Sequence, residues 1–284
     1  MDKTHRQSIL CPSCRKLINR DIARCPYCGI TTPGATWRKL LLPGALRTDR
    51  LLTVIIAANI VMYVLTLIIK PGLPSLAVNP LRFLAPDNRS LVLMGATGSI
   101  PVGQLHRWWT LISASYLHGG LLHILFNMIA LKQLGSLVLT EFGPSRMFII
   151  YTLGGAVGYL VSIMAGIPIT IGASASVCAL IGAAIYFGKS RGGVYGQAVS
   201  AQIGSWAVGI LIFGLLVPGI NNWGHGGGFL GGIALAALLG YQEKIPENNW
   251  HKALAGLCII MTLLILLWAA ASGIAVYARM AAGR

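Results

Sequence analysis

Two serines, Ser174 and Ser176, stand in the otherwise apolar stretch ITIGASASVCALIG. A serine hydroxyl is a weak nucleophile until a neighbouring base takes its proton. In an apolar helix it more commonly fills a helix–helix contact. Other polar groups recur in similar surroundings. SYLHGGLLHILFNMIAL holds His118, His123 and Asn127, and His123 and Asn127, four apart, share a helical face. HGGGFLGG begins with His225, which shares a face with Gly228 and Gly232. On 3.6-residue geometry Ser176 lies about 200° round the helix from Ser174, so the two cannot both face His225. A serine, a histidine and nearby N–H donors are the parts of acyl transfer, provided that separate segments bring them within about 3 Å.

The segments are apolar. The 284 residues are 55% hydrophobic and 10% charged, with mean hydropathy +0.72. Soluble domains carry roughly 25% charge, so this is a membrane composition. The net charge of +15 is not clustered on a soluble domain of any size, and nucleic acid is not expected as a partner. Ten of the 22 Lys and Arg lie in the first 50 residues, which suits a cytoplasmic anchoring face. The first 30 residues are polar and hold four cysteines, unlike a secretory signal. A spanning helix needs about 20 apolar residues. The charge-free runs, divided at AGIPIT (165–170) and VPGINNWG (217–224), predict seven spans at about 51–69, 115–137, 147–165, 172–189, 200–217, 225–242 and 253–275.

Lys and Arg in the loops orient the spans. With the N-terminus in the cytoplasm, the inner loops hold Lys132 with Arg146, Lys189 with Arg191, and Lys244 with Lys252. The short outer loops carry no charge, and the long outer loop, about 71–114, is the exception. Spans two, four and six then run from outside to inside. His123, Asn127, Ser174 and His225 fall near their outer ends, at one depth. Polar groups inside a membrane are costly, and their meeting at one level makes each a functional candidate. The small residues Gly172, Ala173, Ala175, Gly227 and Gly228 allow spans four and six to approach closely.

The N-terminal CPSCRKLINRDIARCPYCG places Cys11, Cys14, Cys25 and Cys28 as two CxxC pairs ten residues apart. Four thiolates so spaced complete a tetrahedral zinc shell, and metal binding supplies the folding energy that a module of about 40 residues lacks. Two disulfides are the other reading, disfavoured in a reducing compartment. Residues 1–40 are therefore expected to form a cytoplasmic zinc-ribbon-like module and linker. Cys178 and Cys258 fall within predicted spans and are expected to pack.

LHGGLLHILFN on span two, GAS at the start of span four, and HGGGFLGG on span six together resemble the rhomboid intramembrane serine proteases. The likeness covers about residues 51–242 as a six-helix catalytic core, with 253–275 as an additional transmembrane helix. It implies an all-α polytopic membrane fold. It implies a dyad of Ser174 as nucleophile and His225 as general base, without an acidic third member. His123, Asn127 and the backbone amide of Ser174 would form the oxyanion hole. No cofactor is implied for catalysis; zinc would be structural only. The resemblance further implies a multi-pass protein of the cell membrane, with its active site toward the outer face. Its partners would be the lipid bilayer and membrane-protein substrates, cleaved in or near transmembrane segments after entering sideways past the fifth span. Ser174 matches the family's nucleophile because Gly172 stands two before it. Ser176 is then a packing serine, and His118 shapes the outer loop. Two positions depart from the pattern: Ala175 replaces a glycine that would lie close to span six, and the outer-loop Trp-Arg pair reads Trp109–Thr110.

Two other readings stand beside the protease. One is a catalytically inactive rhomboid-like protein that binds membrane proteins, although such relatives usually lose the serine or the histidine and both are present here. The other is a transporter with a histidine-lined path, against which stands the lack of an acidic residue within a span or of a second-half repeat.

Overall fold

A computed structural model describes residues 8–11, 16–19, 21–27, 29, 31, 48–69 and 83–282. The chain divides into two compact units, Met1–Arg47 and Thr48–Arg284.

In the first unit, strands β1 (Ser8–Leu10) and β2 (Leu17–Asn19) pair antiparallel, Ile9 opposite Ile18. The hairpin closes where Cys11 N–H donates to the Lys16 carbonyl at 2.9 Å. A second tight turn closes where Gly29 N–H donates to the Cys25 carbonyl at 2.9 Å. Gly29 has φ +73°, a conformation glycine adopts without strain. Cys11, Cys25 and Ile18 are buried together. The first cysteine of each pair thus lies in one small cluster, each at the base of a turn. Cys14 and Cys28 lie outside the described residues, and among the described residues no group of three or more metal-ligating side chains converges.

Among its described residues, the second unit holds seven long helices: α1 (Thr48–Ile68), α2 (Leu121–Phe142), α3 (Pro144–Met164), α4 (Ser174–Arg191), α5 (Gly193–Leu216), α6 (Asn222–Leu239) and α7 (Asn249–Ala281). Among the described residues, five of these are long and apolar enough to cross a membrane: α1, α2, α3, α5 and α7. The fourth and sixth predicted spans coincide with α4 and α6, which are rich in Gly, Ala and Ser. Their small residues lower the hydropathy and let the two helices approach closely, while α6 still exposes Trp223, Leu230 and Leu238 on its other side. An added Cβ on Gly228 would collide with the Ala175 carbonyl, one on Gly232 with that of Ala179, and one on Gly182 with that of Phe229. The backbones of α4 and α6 are therefore in direct contact.

Several predicted boundaries move. Span two starts at Leu121 rather than 115, because residues 114–120 form a 3₁₀ turn and an extended Gly120. It runs on to Phe142, so that Lys132 and Glu141 are helical. The inner turn shrinks to Gly143, with φ +86°, followed by Pro144 at the start of α3. Span six begins at Asn222, three residues early, because Asn221 caps it by accepting from Gly224 N–H at 2.9 Å. The long connection between α1 and α2 is built rather than open. Its described part contains helical turns at Asn88–Leu93, Ser99–Gln104 and Thr110–Ser113. It hooks onto the α3–α4 turn through paired backbone bonds between Thr97 and Thr170, 3.1 and 2.7 Å.

The two ends of the bundle are tied differently. At the end where α2, α4 and α6 begin, Asn221 Nδ2 donates to Ser162 Oγ (2.7 Å) and Thr170 Oγ1 (2.9 Å). At the opposite end the fully buried Arg146 guanidinium donates to the carbonyls of Gly240 (2.7 Å) and Ile245 (2.5 Å). There Glu247 Oε1 accepts from the N–H groups of Ser145 (2.8 Å) and Arg146 (3.1 Å), satisfying orphan donors at the start of α3.

Candidate active site

Ser174 is the first residue of α4 and His225 lies in the first turn of α6. Contact between the two backbones sets the separation, and the side chains close it: His225 Nε2 is 2.9 Å from Ser174 Oγ. When the serine hydroxyl donates to Nε2, the imidazole proton sits on Nδ1. That nitrogen is buried and has no hydrogen-bond partner among the described residues. The imidazole is held by its helix and by packing, with no carboxylate behind it. Both side chains are half-buried.

His123 lies on the far side of Gly172. Its Nδ1 accepts from Gly119 N–H at 3.2 Å, which leaves the proton of a neutral ring on Nε2. Gly172 has φ +119°. A Cβ there would stand 2.7 Å from His123 Nε2 and 3.7 Å from Ser174 Oγ. The missing side chain leaves a space that the Nε2–H donor and the hydroxyl both border. The Gly172 backbone is pinned on both sides: its N–H donates to the Ala114 carbonyl at 2.9 Å, and its carbonyl accepts from the Tyr159 hydroxyl.

Asn127 is close by in sequence but turned elsewhere. Its Nδ2 donates to the His123 carbonyl one turn back, at 2.8 Å. A primary amide has two N–H groups, so one remains for another acceptor. His118 is fully buried, and its ring meets that of His123 edge-on with centroids 5.1 Å apart. Ser176 is fully buried and faces away from His225, its Oγ 3.3 Å from Ser115 Oγ. It behaves as the packing residue that helical geometry predicts.

Ala175 stands where the family pattern has a glycine close to span six, and its methyl points to another neighbour. The methyl packs with Ala114 and Tyr159, on the α3 side. A Cβ built on Gly158 of α3 would stand 3.0 Å from it. The residue's carbonyl is what faces α6, so the extra carbon does not separate the helices that carry Ser174 and His225. Thr110, at the second departure, is buried; its hydroxyl donates to the Arg107 carbonyl (2.6 Å) and can accept from the Thr97 hydroxyl (3.0 Å), bonds internal to the α1–α2 connection.

Tyr159, Gly158 and Asn221 were not among the residues singled out from sequence. Tyr159 carries a hydroxyl in the middle of an apolar span, which must find a partner. Asn221 precedes a glycine-rich helix start, an N-cap signal hidden by the second asparagine beside it.

A Rhomboid domain matches residues 105–242, the stretch that carries all four of these polar residues. The chain is 31% identical over 210 residues to RHOMBOID-like protein 5 of Arabidopsis thaliana, across 66% of this chain and 67% of that one. It is 32% identical over 157 residues to Rhomboid protease GluP of Bacillus subtilis (strain 168), across 55% of this chain. That match spans only 31% of the GluP length. RHOMBOID-like protein 7 of Arabidopsis thaliana is 27% identical over 242 residues, across 79% of this chain and 72% of that one.

Proposed function

The chain belongs to the rhomboid family of multi-pass membrane proteins, and on that premise we propose that it is an intramembrane serine endopeptidase. It hydrolyses peptide bonds of membrane proteins in or near their transmembrane segments. The observation that carries this reading is the 2.9 Å approach of His225 Nε2 to Ser174 Oγ across two helices.

In the proposed cycle His225 Nε2 takes the Ser174 proton as Oγ attacks the scissile carbonyl carbon. The charge that develops on the carbonyl oxygen falls in the space above Gly172. There His123 Nε2–H and the Ser174 N–H can donate; the latter has no acceptor inside its own helix because it lies in the first turn. Asn127 joins through its uncommitted N–H. The imidazolium returns its proton to the leaving amine, the C–N bond breaks, and an acyl-Ser174 ester remains. Water, deprotonated by the same imidazole, attacks the ester and restores the serine. Hydrolysis inside a membrane needs a wet cavity, and half-burial of both side chains supports one. A dyad is sufficient where packing alone orients the base.

Loop charge supports a cytoplasmic N-terminus and an active site toward the outer face of the cell membrane. Substrates enter past α5, whose residues Val208, Leu211, Ile212, Leu215 and Leu216 are exposed. The N-terminal module binds structural zinc through Cys11, Cys14, Cys25 and Cys28, a reading supported by the burial of Cys11 beside Cys25.

The test is labelling of the purified protein with a serine-reactive fluorophosphonate, beside Ser174→Ala, His225→Ala and Ser176→Ala. Labelling is expected in the parent and in Ser176→Ala alone. Labelling that survives Ser174→Ala removes the nucleophile. An unlabelled parent hands the lead to the inactive, membrane-protein-binding reading.

A further inference from the structure

We propose that the outer rim of the bundle carries a binding site for an anionic glycerophospholipid, its phosphate held by Arg107 between Trp109 and Trp268. The site involves none of the residues of the proposed dyad or oxyanion hole, and it does not depend on hydrolysis.

The length of α7 sets the level. From Lys252 to Ser272 the helix rises about 30 Å at 1.5 Å per residue, the thickness of a bilayer's hydrocarbon core. With Lys252 at one headgroup layer, Trp268 to Val276 lie at the other. At that level is a cavity of about 140 Å³, lined by Leu93, Arg107, Trp109, Trp268, Ser272 and Val276. Tryptophans at this height are typical of the membrane–water interface.

The charge in the cavity is unmatched. Arg107 is half-buried, and the guanidinium makes one long bond, Nη1 to the Val92 carbonyl at 3.4 Å. Among the described residues no carboxylate pairs with it. A guanidinium offers five donors in a fork that suits phosphate oxygens. The Ser272 hydroxyl, now turned back to the Ala269 carbonyl at 3.2 Å, can rotate to add another.

Size decides which part of the lipid enters. At about 30 Å³ per water, the cavity has room for four or five waters. That fits a phosphate with its ester carbons and not an acyl chain. The chains would lie outside it, along the exposed Leu264, Leu267 and Trp268. With one cation and no anion in the lining, a headgroup of net negative charge is favoured over a zwitterionic one.

The experiment is native mass spectrometry of the full chain released from detergent micelles, titrated with phosphatidylglycerol or phosphatidylcholine. The parent is expected to retain one phosphatidylglycerol more tightly than phosphatidylcholine. Arg107→Gln and Trp268→Ala should each weaken it about 10-fold or more, the loss expected for charge-assisted bonds. Arg89→Gln, at an exposed arginine outside the cavity, should leave it unchanged. Arg107→Lys keeps the charge and the stem, guards against a folding defect, and should bind at an intermediate affinity. Equal retention by the parent and Arg107→Gln overturns the proposal. So does release of the lipid by excess inorganic phosphate, which would make this a site for the free anion.

Discussion

Gly172 lies against the ring of His123 so closely that a Cβ on it would stand 2.7 Å from Nε2. Glycine there keeps open the space that His123 and Ser174 share, and its φ of +119° is one that side-chain-bearing residues avoid. Gly172→Ala should therefore damage turnover while leaving the serine and its base in place. Loss of one oxyanion donor costs about 10²–10³ in kcat. We expect a fall of that order for Gly172→Ala and for His123→Ala, read as the cleavage rate of a reconstituted transmembrane substrate. A variant cleaving at the parental rate would remove His123 from the proposed oxyanion site.

The methyl of Ala175 seats against Gly158, so substitutions at both positions should cost stability but differ in their effect on labelling. Ala175→Gly should keep fluorophosphonate labelling within about threefold and lower stability by about 0.5–1 kcal/mol, the helical cost of glycine. Gly158→Ala, whose methyl would stand 2.5 Å from the Gly224 carbonyl of α6 and 3.0 Å from the Ala175 methyl, should lower stability by about 1–3 kcal/mol through overpacking, and slow labelling as α3 pushes on α6 and α4. Thermal unfolding in detergent, measured beside labelling, checks both. A large gain in labelling by Ala175→Gly would mean that the methyl does hinder the nucleophile.

Asn222 Nδ2 donates to the Gly214 carbonyl at 2.9 Å, joining the last turn of α5 to the first turn of α6. α5 is otherwise fastened near its start, where Tyr195 Oη donates to Glu141 Oε1 at 2.7 Å. If substrates pass α5, Asn222→Ala should speed cleavage of a transmembrane substrate about 2–10-fold, the equivalent of one hydrogen bond. Labelling by a small fluorophosphonate should not change. A parallel rise in both rates would point to the dyad instead of the passage.

The N-terminal module should hold one zinc per chain. Elemental analysis of the purified protein is expected to give a 1:1 ratio, falling in Cys11→Ser and Cys25→Ser. Labelling of Ser174 should be unchanged in both variants, because the metal has no part in the proposed chemistry. A metal-free parent with the four thiols titratable would end the zinc reading.

The sequence made the membrane core legible because apolar runs and basic loops obey strong physical rules. The meeting of Ser174 with His225 followed from topology, since three parallel spans put polar residues at one depth. What it hid was orientation around each helix. Ala175 could be placed beside a close helix contact but not on its α3 side, because one residue's methyl and carbonyl point to different neighbours. Asn127 was legible as a donor, yet its amide turns back to its own helix, a choice between two acceptors that spacing cannot rank. Boundaries were least legible where caps decide them: Gly143 and Asn221 each moved a helix end by several residues. The fourth and sixth spans were readable from charge alone, whereas hydropathy understates them because the residues that let them approach are small.

The Arg146 clamp has a meaning for how the protein is made. Two of its nitrogens, Nη1 and Nη2, donate to carbonyls 94 and 99 residues further along the chain. At about 5–20 residues per second of synthesis, those partners arrive roughly 5–20 s after the arginine itself. Until then α3 begins with an uncompensated cation at the membrane rim, and the helix that precedes Ser174 lacks its closing contacts. A segment translated well after α3 thus licenses the assembly of α3. Nascent chains arrested before residue 240 should leave α3 open to added protease, and chains arrested well beyond residue 247 should protect it. A chaperone of the insertion machinery that waits for this closure would, in effect, be inspecting a closed bundle rather than a row of independent spans.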